Sequence, residues 1–178
     1  MKKNEKIDEG LKMIDRVEFI FMLISALGCG IIAGVFFAFS TFVMNALARL
    51  TPAQGIAAMQ SINIAVINPL FLGVFVGTAV ACLLLAGSTL FRWQRPGAVY
   101  LLAGCLLYIA GCFLVTMLFN VPRNDALAVV DPVSADGAKL WAGYLNSWTA
   151  WNHVRTAAAL AAAALITIAL CVESRSSS

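Results

Sequence analysis

Charged residues are scarce in this sequence. Asp, Glu, Lys and Arg make up 12% of its 178 residues, whereas a soluble domain carries roughly a quarter. Four intervals contain none of them: 19–48, 51–91, 96–122 and 156–172. Because about twenty consecutive apolar residues cross a bilayer core, the first three intervals are long enough to span a membrane. The fourth has only 17 residues, so its flank Asn152–Arg155 is predicted at or just inside the interface.

The spacing of these intervals predicts an all-α fold, an integral membrane four-helix bundle with up-down-up-down topology and short interfacial helices on its outer face. The apolar run Phe19–Val43 has about 25 residues, whereas the apolar region of a signal peptide has about 7–15, so we expect it to remain a membrane helix. We expect a single membrane domain over residues 1–178. Its predicted parts are a polar tail 1–16, spans at about 18–45, 68–91, 98–120 and 152–172, and an outer loop 120–150.

Metal-ligating and redox residues are also few. The chain has one histidine and five cysteines, and no Cys-x-x-Cys pair. All five cysteines lie within or at the end of predicted spans, where such residues are mostly small buried hydrophobes. A haem held by His153 has no candidate second ligand. We therefore expect no metal and no cofactor. The net charge of +3 lies largely in the tail and turns, so no nucleic-acid partner is expected.

Prolines mark the predicted helix ends. Thr51-Pro52 and Asn68-Pro69 are typical of an N-cap followed by proline at the first helical position. They predict a short surface helix and then the start of the second span, although one long helix kinked at Pro69 is an alternative. Pro122 is predicted to end the third helix.

Two sets of glycines predict close helix packing. Gly97, Gly104 and Gly111 are seven residues apart, which places them on one face where another helix can approach. Gly30 and Gly34 form a small-xxx-small pair. Packing within the chain is the favoured interpretation of that pair, and a homo-oligomer is left open.

Basic residues are distributed unequally between the two membrane faces. The N-terminal tail, the 92–97 turn and the C-terminus carry five, two and one of them, and the opposite face carries four. This imbalance predicts that both termini lie in the cytoplasm. We therefore expect a bacterial inner-membrane protein whose 120–150 segment faces outward.

Polar and aromatic residues are concentrated at the outer ends of the predicted spans. In an up-down-up-down bundle these ends meet, so residues distant in sequence converge. Polar groups at membrane depth commonly mark function when they face inward. The alternative is a belt of interfacial tryptophans, a snorkelling arginine and asparagines that only cap helices. The converging residues are Asn45, Asn63, Asn68, Asn120, Asn124, Trp148, Asn152 and Arg155.

The same residues carry a resemblance to a known family. The similarity covers about residues 28–170 and identifies the chain with the anthrone oxygenase-like family of small four-helix membrane proteins. Most bacterial members were long catalogued only as a domain of unknown function. Some fungal members are assigned to the oxidation of anthrones to anthraquinones, without metal or flavin, and the resemblance implies that chemistry here. The matching motifs are Met59-Gln60-x-Ile62-Asn63, Asn68-Pro69, Asn120-Val121-Pro122-x-Asn124 and Trp148-x-x-Trp151-Asn152-His153-Val154-Arg155.

This chemistry suits the residues. The methylene of an anthrone is acidic because its conjugate base is a phenolate-like enolate, with which oxygen can react directly. Under this hypothesis His153 is the base, since an imidazole ordinarily exchanges a proton near neutral pH. It lies about 100° around the helix from Asn152, so it could instead face lipid headgroups. Arg155, Asn152 and Asn124 would donate hydrogen bonds to the enolate oxygen. The predicted catalytic residues are His153, Arg155 and Asn152, and the predicted substrate-binding residues are Asn63, Asn68, Asn120, Asn124, Trp148 and Trp151, with the two tryptophans stacking on the rings.

Two other functions remain as alternatives. A non-catalytic membrane module would use the same pocket to bind a lipid or a quinone, or would serve as a small partner subunit, and would need no base. A transporter is disfavoured because the four uncharged intervals offer no paired charges. In the favoured hypotheses the partner is a hydrophobic aromatic small molecule or a lipid.

Overall fold

The chain is helical almost throughout. The computed structural model describes the backbone of residues 2–176 and the side chains of residues 13 and 15–175. Two of its helices change to π-helical geometry towards one end. In chain order the elements are α1 (Lys2–Ala38, continuing through π-helical Phe39–Val43 into Met44–Ala48), α2 (Pro52–Ala65), α3 (Pro69–Phe91), α4 (Ala98–Leu106, continuing through π-helical Leu107–Leu114 and Thr116–Asn120), α5 (Val121–Ala128) and α6 (Ala135–Ser176).

Four helical stretches are long and apolar enough to cross a membrane, and they form a four-helix bundle as predicted. α1 and α4 each pack against both α3 and α6, so α3 and α6 occupy opposite corners. We call the bundle end that holds Asp15, the 92–97 turn and Glu173 the terminal face, and the other end the distal face. The four stretches are Asp15–Ala48, Pro69–Phe91, Ala98–Ala128 and Ala135–Arg175.

Small residues allow α4 and α6 to approach closely. Gly97, Gly104 and Gly111 all face α6, as their seven-residue spacing predicts. A Cβ atom at Gly104 would lie 2.8 Å from Cγ1 of Ile166, and one at Gly111 would lie 2.6 Å from Cβ of Ala158. Any larger side chain at either position would therefore push the two helices apart.

Gly30 and Gly34 do not pack within the chain. Both are exposed, and a Cβ atom on either would meet no atom within 4 Å. The prediction of packing within the chain is therefore wrong for this pair. The reason is that α1 turns Gly28 and Cys29 towards its neighbours, which leaves Gly30 on the opposite side.

The two predicted helix starts are confirmed. At the start of α2, the side chains and backbone N–H groups of Thr51 and Gln54 bond each other reciprocally in a capping box. A separate helix begins at Pro69, because Oδ1 of Asn68 accepts a 2.9 Å hydrogen bond from the backbone N–H of Phe71. The alternative of one kinked helix is excluded.

Pro122 does not end the third membrane helix. Helical geometry continues from Thr116–Asn120 into Val121–Ala128, with φ −85° and ψ −43° at Asn120. Proline removes one backbone donor, and the π-helical turn Thr116–Asn120 lies just before it. The predicted outer loop 120–150 is consequently mostly helical.

α6 is much longer than one membrane crossing. Its 42 residues correspond to roughly 60 Å at 1.5 Å per residue, about twice the thickness of the hydrocarbon. Its first turns project from the distal face, where Trp141, Tyr144 and Trp148 join apolar residues of α1, α2 and α5 in a second core. At the other end of the bundle, the backbone of the polar residues 2–16 is helical and continues α1.

Candidate functional site

Arg155 lies inside the bundle near its distal face, with 3% of its surface exposed. Its Nη2 donates to Oδ1 of Asn152 at 2.6 Å, and its Nη1 donates to Oγ1 of Thr116 at 3.4 Å. The guanidinium carbon lies 4.0 Å from the ring centre of Phe36 and 4.9 Å from that of Trp148. A desolvated cation over an aromatic face gains about 2 kcal/mol, so the two rings offset part of the cost of burying the charge.

The charge of Arg155 has no carboxylate to balance it among the residues that the structure describes. The ion pairs in that part of the chain involve Arg92 and Arg95 at the terminal face. The Nε atom of Arg155 is also buried and has no hydrogen-bond partner. Because a buried charge is costly unless it is paired and fully hydrogen-bonded, this arrangement suits an anion bound beside Nε.

Asn152 connects Arg155 to α1. It is fully buried, and its Nδ2 donates to the carbonyl of Phe36 and to Oγ of Ser40, both at 2.7 Å. Ser40 in turn shares a 3.1 Å hydrogen bond with the hydroxyl of Thr156. Sequence reasoning identified Asn152 and Arg155 but missed Phe36 and Ser40, because nothing in the sequence distinguishes these two from ordinary helix residues.

Asn120 and Thr116 approach the arginine from the π-helical end of α4. Asn120 is fully buried, and its Nδ2 donates to the carbonyl of Trp148 at 3.2 Å, while its Oδ1 has no partner. Thr116 was missed from the sequence, although its position four residues before Asn120 is a signal for a shared helix face. Both π-helical segments with five residues border this region, and such segments frequently occur at functional sites.

Asn124 of α5 holds two aromatic residues of α6. Its Oδ1 accepts hydrogen bonds from the hydroxyl of Tyr144 and from Nε1 of Trp148, both at 2.8 Å. The ring of Tyr144 stacks between those of Trp141 and Trp148, with centres 5.5 and 6.1 Å away. Asn63 of α2 lies near the Tyr144 hydroxyl, and its Nδ2 is buried without a partner.

The structure brings together six of the predicted residues and leaves four outside. Asn68 is exposed and caps α3, and Asn45 is exposed and bonds within its own helix. Trp151 is half-buried and stacks on Phe119, with ring centres 3.7 Å apart. His153 is exposed, so it does not occupy the position of a base beside Arg155. We call the six residues that do meet the distal cluster: Asn63, Asn120, Asn124, Trp148, Asn152 and Arg155.

Four apolar helices, with a buried arginine and asparagines gathered at one end, define a small integral membrane protein of the four-helix type. The family model described as anthrone oxygenase matches residues 68–165, more than half of the chain, including five of the six residues of the distal cluster. The chain therefore belongs to the anthrone oxygenase family. Searches of curated proteins and of solved structures found no match.

Proposed function

We propose that the protein oxidises an anthrone-like or related aromatic compound with molecular oxygen, and that the distal cluster stabilises the enolate of that compound. The observation that carries the proposal is the state of Arg155. It is a buried guanidinium with a free Nε and, among the described residues, no carboxylate partner. Membership of the anthrone oxygenase family supports the reaction class.

The reaction begins when the methylene of an anthrone loses a proton and an enolate forms. Nε of Arg155 donates a hydrogen bond to the enolate oxygen, and the positive charge lowers the free energy of the anion in a site of low dielectric. Molecular oxygen then adds to the methylene carbon, and the resulting peroxide takes up one proton. The O–O bond breaks and water leaves with the second methylene hydrogen. One anthrone and one O₂ thus give one anthraquinone and one water.

Other residues of the distal cluster and its surroundings position the guanidinium of Arg155. Asn152 and Thr116 orient the guanidinium through its two terminal nitrogens, and the ring of Trp148 lies over its carbon at 4.9 Å. Since His153 is exposed and outside the distal cluster, we assign the first proton to water at the distal face. An acidified methylene can lose its proton to water once the enolate is stabilised.

Oxygen uptake by the purified protein in detergent, with anthrone as the substrate, tests the proposal. Arg155→Lys keeps the charge but loses the fork of donors, and removal of an oxyanion donor typically lowers kcat by about 10²–10³-fold. The matched control is Arg123→Lys. Arg123 is another distal-face arginine, which bonds Ser147 and the carbonyl of Phe119 outside the cluster, and its variant should retain wild-type activity.

If the rate of oxygen uptake with the wild-type protein does not exceed the rate of autoxidation without protein, the proposed reaction is excluded. Retention of an unmodified lipid or quinone by that inactive protein would instead favour a binding module. If Arg123→Lys and Arg155→Lys lower the rate of oxygen uptake equally, the loss comes from a general change at the distal face and not from the buried guanidinium.

A further inference from the structure

Four phenylalanines gather where α1, α3 and α4 meet in the distal half of the bundle. The rings of Phe71 and Phe75 are stacked, with centres 5.9 Å apart and an angle of 12° between their planes. The ring of Phe113 lies 5.3 Å from that of Phe75, and the ring of Phe36 meets it edge-on at 6.4 Å. We call Phe36, Phe71, Phe75 and Phe113 the aromatic layer. Stacked and edge-on pairs at such distances are the favoured arrangements of aromatic rings.

The aromatic layer extends from the outer side of the bundle to the buried arginine. Phe71 and Phe113 are half-buried at its outer edge, whereas Phe75 and Phe36 are 5% and 6% exposed. At the inner edge, the ring of Phe36 lies 4.0 Å from the guanidinium carbon of Arg155. One series of ring contacts therefore leads from the outer side of α3 and α4 to the guanidinium.

The packing around the layer differs on its two sides. Leu72 and Leu114 follow the two half-buried phenylalanines and are exposed apolar side chains on membrane-crossing stretches, so this edge faces the hydrocarbon. On the terminal side, the hydroxyl of Tyr108 donates to the carbonyl of Phe75 at 3.1 Å and ties α4 to α3. On the distal side, α2 and α5 pack on α6. α4 is π-helical over Leu107–Leu114, and such segments frequently occur at functional sites.

We propose that the flat aromatic substrate enters from the bilayer between Phe71 and Phe113 and is held on the aromatic layer before its oxygen reaches Arg155. The identity of this ligand rests on the proposed function, whereas its binding does not require turnover. A fused-ring compound of low polarity partitions into hydrocarbon, and it gains from ring contacts that a saturated acyl chain cannot make. Its oxygen meets the guanidinium at the inner edge, where a buried Nε has no other partner. The half-buried rings of Phe71 and Phe113 move apart to admit it, since changes of side-chain rotamer on binding are common.

Binding of anthraquinone tests the aromatic layer apart from the reaction, because this compound is the oxidised product and does not turn over. The protein in lipid nanodiscs is dialysed to equilibrium against anthraquinone, and empty nanodiscs measure the amount that partitions into lipid. We expect Phe71→Leu and Phe113→Leu each to weaken binding by about two- to tenfold, the factor that one aromatic pair provides. Phe71→Trp keeps an aromatic ring and should retain binding. The matched control is Phe91→Leu, because Phe91 ends the same helix near the terminal face and is 92% exposed.

Turnover of anthrone separates capture of the substrate from its chemistry. Phe71→Leu and Phe113→Leu should raise KM for anthrone without a matching loss of kcat, as expected when an interaction is made equally in the ground and transition states. Arg155→Lys should instead lower kcat. Absence of saturable anthraquinone binding by the wild-type protein, unchanged binding in both leucine variants of the layer, or equal weakening in Phe91→Leu overturns the assignment. If the wild-type protein consumes no oxygen but binds anthraquinone, and the two leucine variants of the layer weaken that binding, the site stands and only the proposed reaction is excluded.

Discussion

Nε1 of Trp148 donates a 2.8 Å hydrogen bond to Oδ1 of Asn124. The two residues lie on α6 and α5, and the same oxygen also accepts from the hydroxyl of Tyr144. The ring of Trp148 lies 4.9 Å from the guanidinium carbon of Arg155. The hydrogen bond to Asn124 therefore helps to fix the position of one of the two rings that contact the buried guanidinium. The surroundings of Arg155 therefore depend on α5 as well as on α6.

Asn124→Leu should lower the thermal stability of the protein in detergent. The change leaves the Tyr144 hydroxyl and the Trp148 indole without an acceptor, and a buried donor without a partner costs about 1–3 kcal/mol. Asn124→Asp keeps an oxygen at the same place and should retain most of the stability. The measurement is the Tm of both variants beside the wild type. An equal decrease of Tm in the two variants would show that the acceptor oxygen of Asn124 is not the source of the stability.

His153→Asn should keep the rate of oxygen uptake within about twofold of the wild type. The imidazole is exposed, so its removal should leave the surroundings of Arg155 intact. A general base contributes about 10²–10⁴-fold. A loss of that size, with unchanged Tm, would return His153 to the role of base and would require α6 to turn it inward during turnover.

Gly28→Ala should destabilise the bundle, and Gly30→Ala should not. A Cβ atom at Gly28 would lie 2.0 Å from Oγ1 of Thr78, whereas one at Gly30 meets nothing within 4 Å. Overpacking costs about 1–3 kcal/mol, while alanine is favoured over glycine inside a helix by about 1 kcal/mol. Thermal unfolding of the two variants compares positions two residues apart on one helix. A larger loss of Tm in Gly30→Ala would point to a partner seated on that exposed face.

A cysteine that replaces Asp136 should react with a membrane-impermeant thiol reagent in intact cells. Asp136 is exposed near the start of α6, at the distal face. The excess of Lys and Arg at the terminal face predicts that the terminal face lies in the cytoplasm and the distal face outside it. The experiment uses a Cys171→Ser background, since Cys171 is the exposed native cysteine among the described residues. Gln94→Cys, at the terminal face, should react only after lysis. The opposite pattern reverses the predicted orientation.

Much of the fold could be predicted from the sequence because its strongest signals are local. The lack of charge in four intervals, the caps at Thr51 and Asn68 and the spacing of Gly104 and Gly111 each correspond to one observed feature. The prediction that the third helix ends at Pro122 was wrong, although proline commonly ends a helix. Here the preceding backbone is π-helical, and the helical path runs through it.

The distal cluster could be predicted only in part. Asparagines that cap helices and asparagines that are buried between helices look alike in a sequence, so Asn68 and Asn120 received the same interpretation. The structure separates them by burial: Asn68 is exposed, and Asn120 is fully buried. Phe36 and Ser40 could not be found, because their role depends on the contact between α1 and α6, which joins residues more than a hundred positions apart.

The position of Arg155 along α6 has an electrical consequence. Arg155 lies near the distal face, and the apolar stretch 156–172 of α6 separates it from the terminal face. Moving one charge across the whole membrane changes its energy by about 2.3 kcal/mol per 100 mV. An anion or proton that reaches Arg155 from the distal side crosses little of that voltage. We therefore expect the binding of an anion at Arg155 to depend little on the membrane potential.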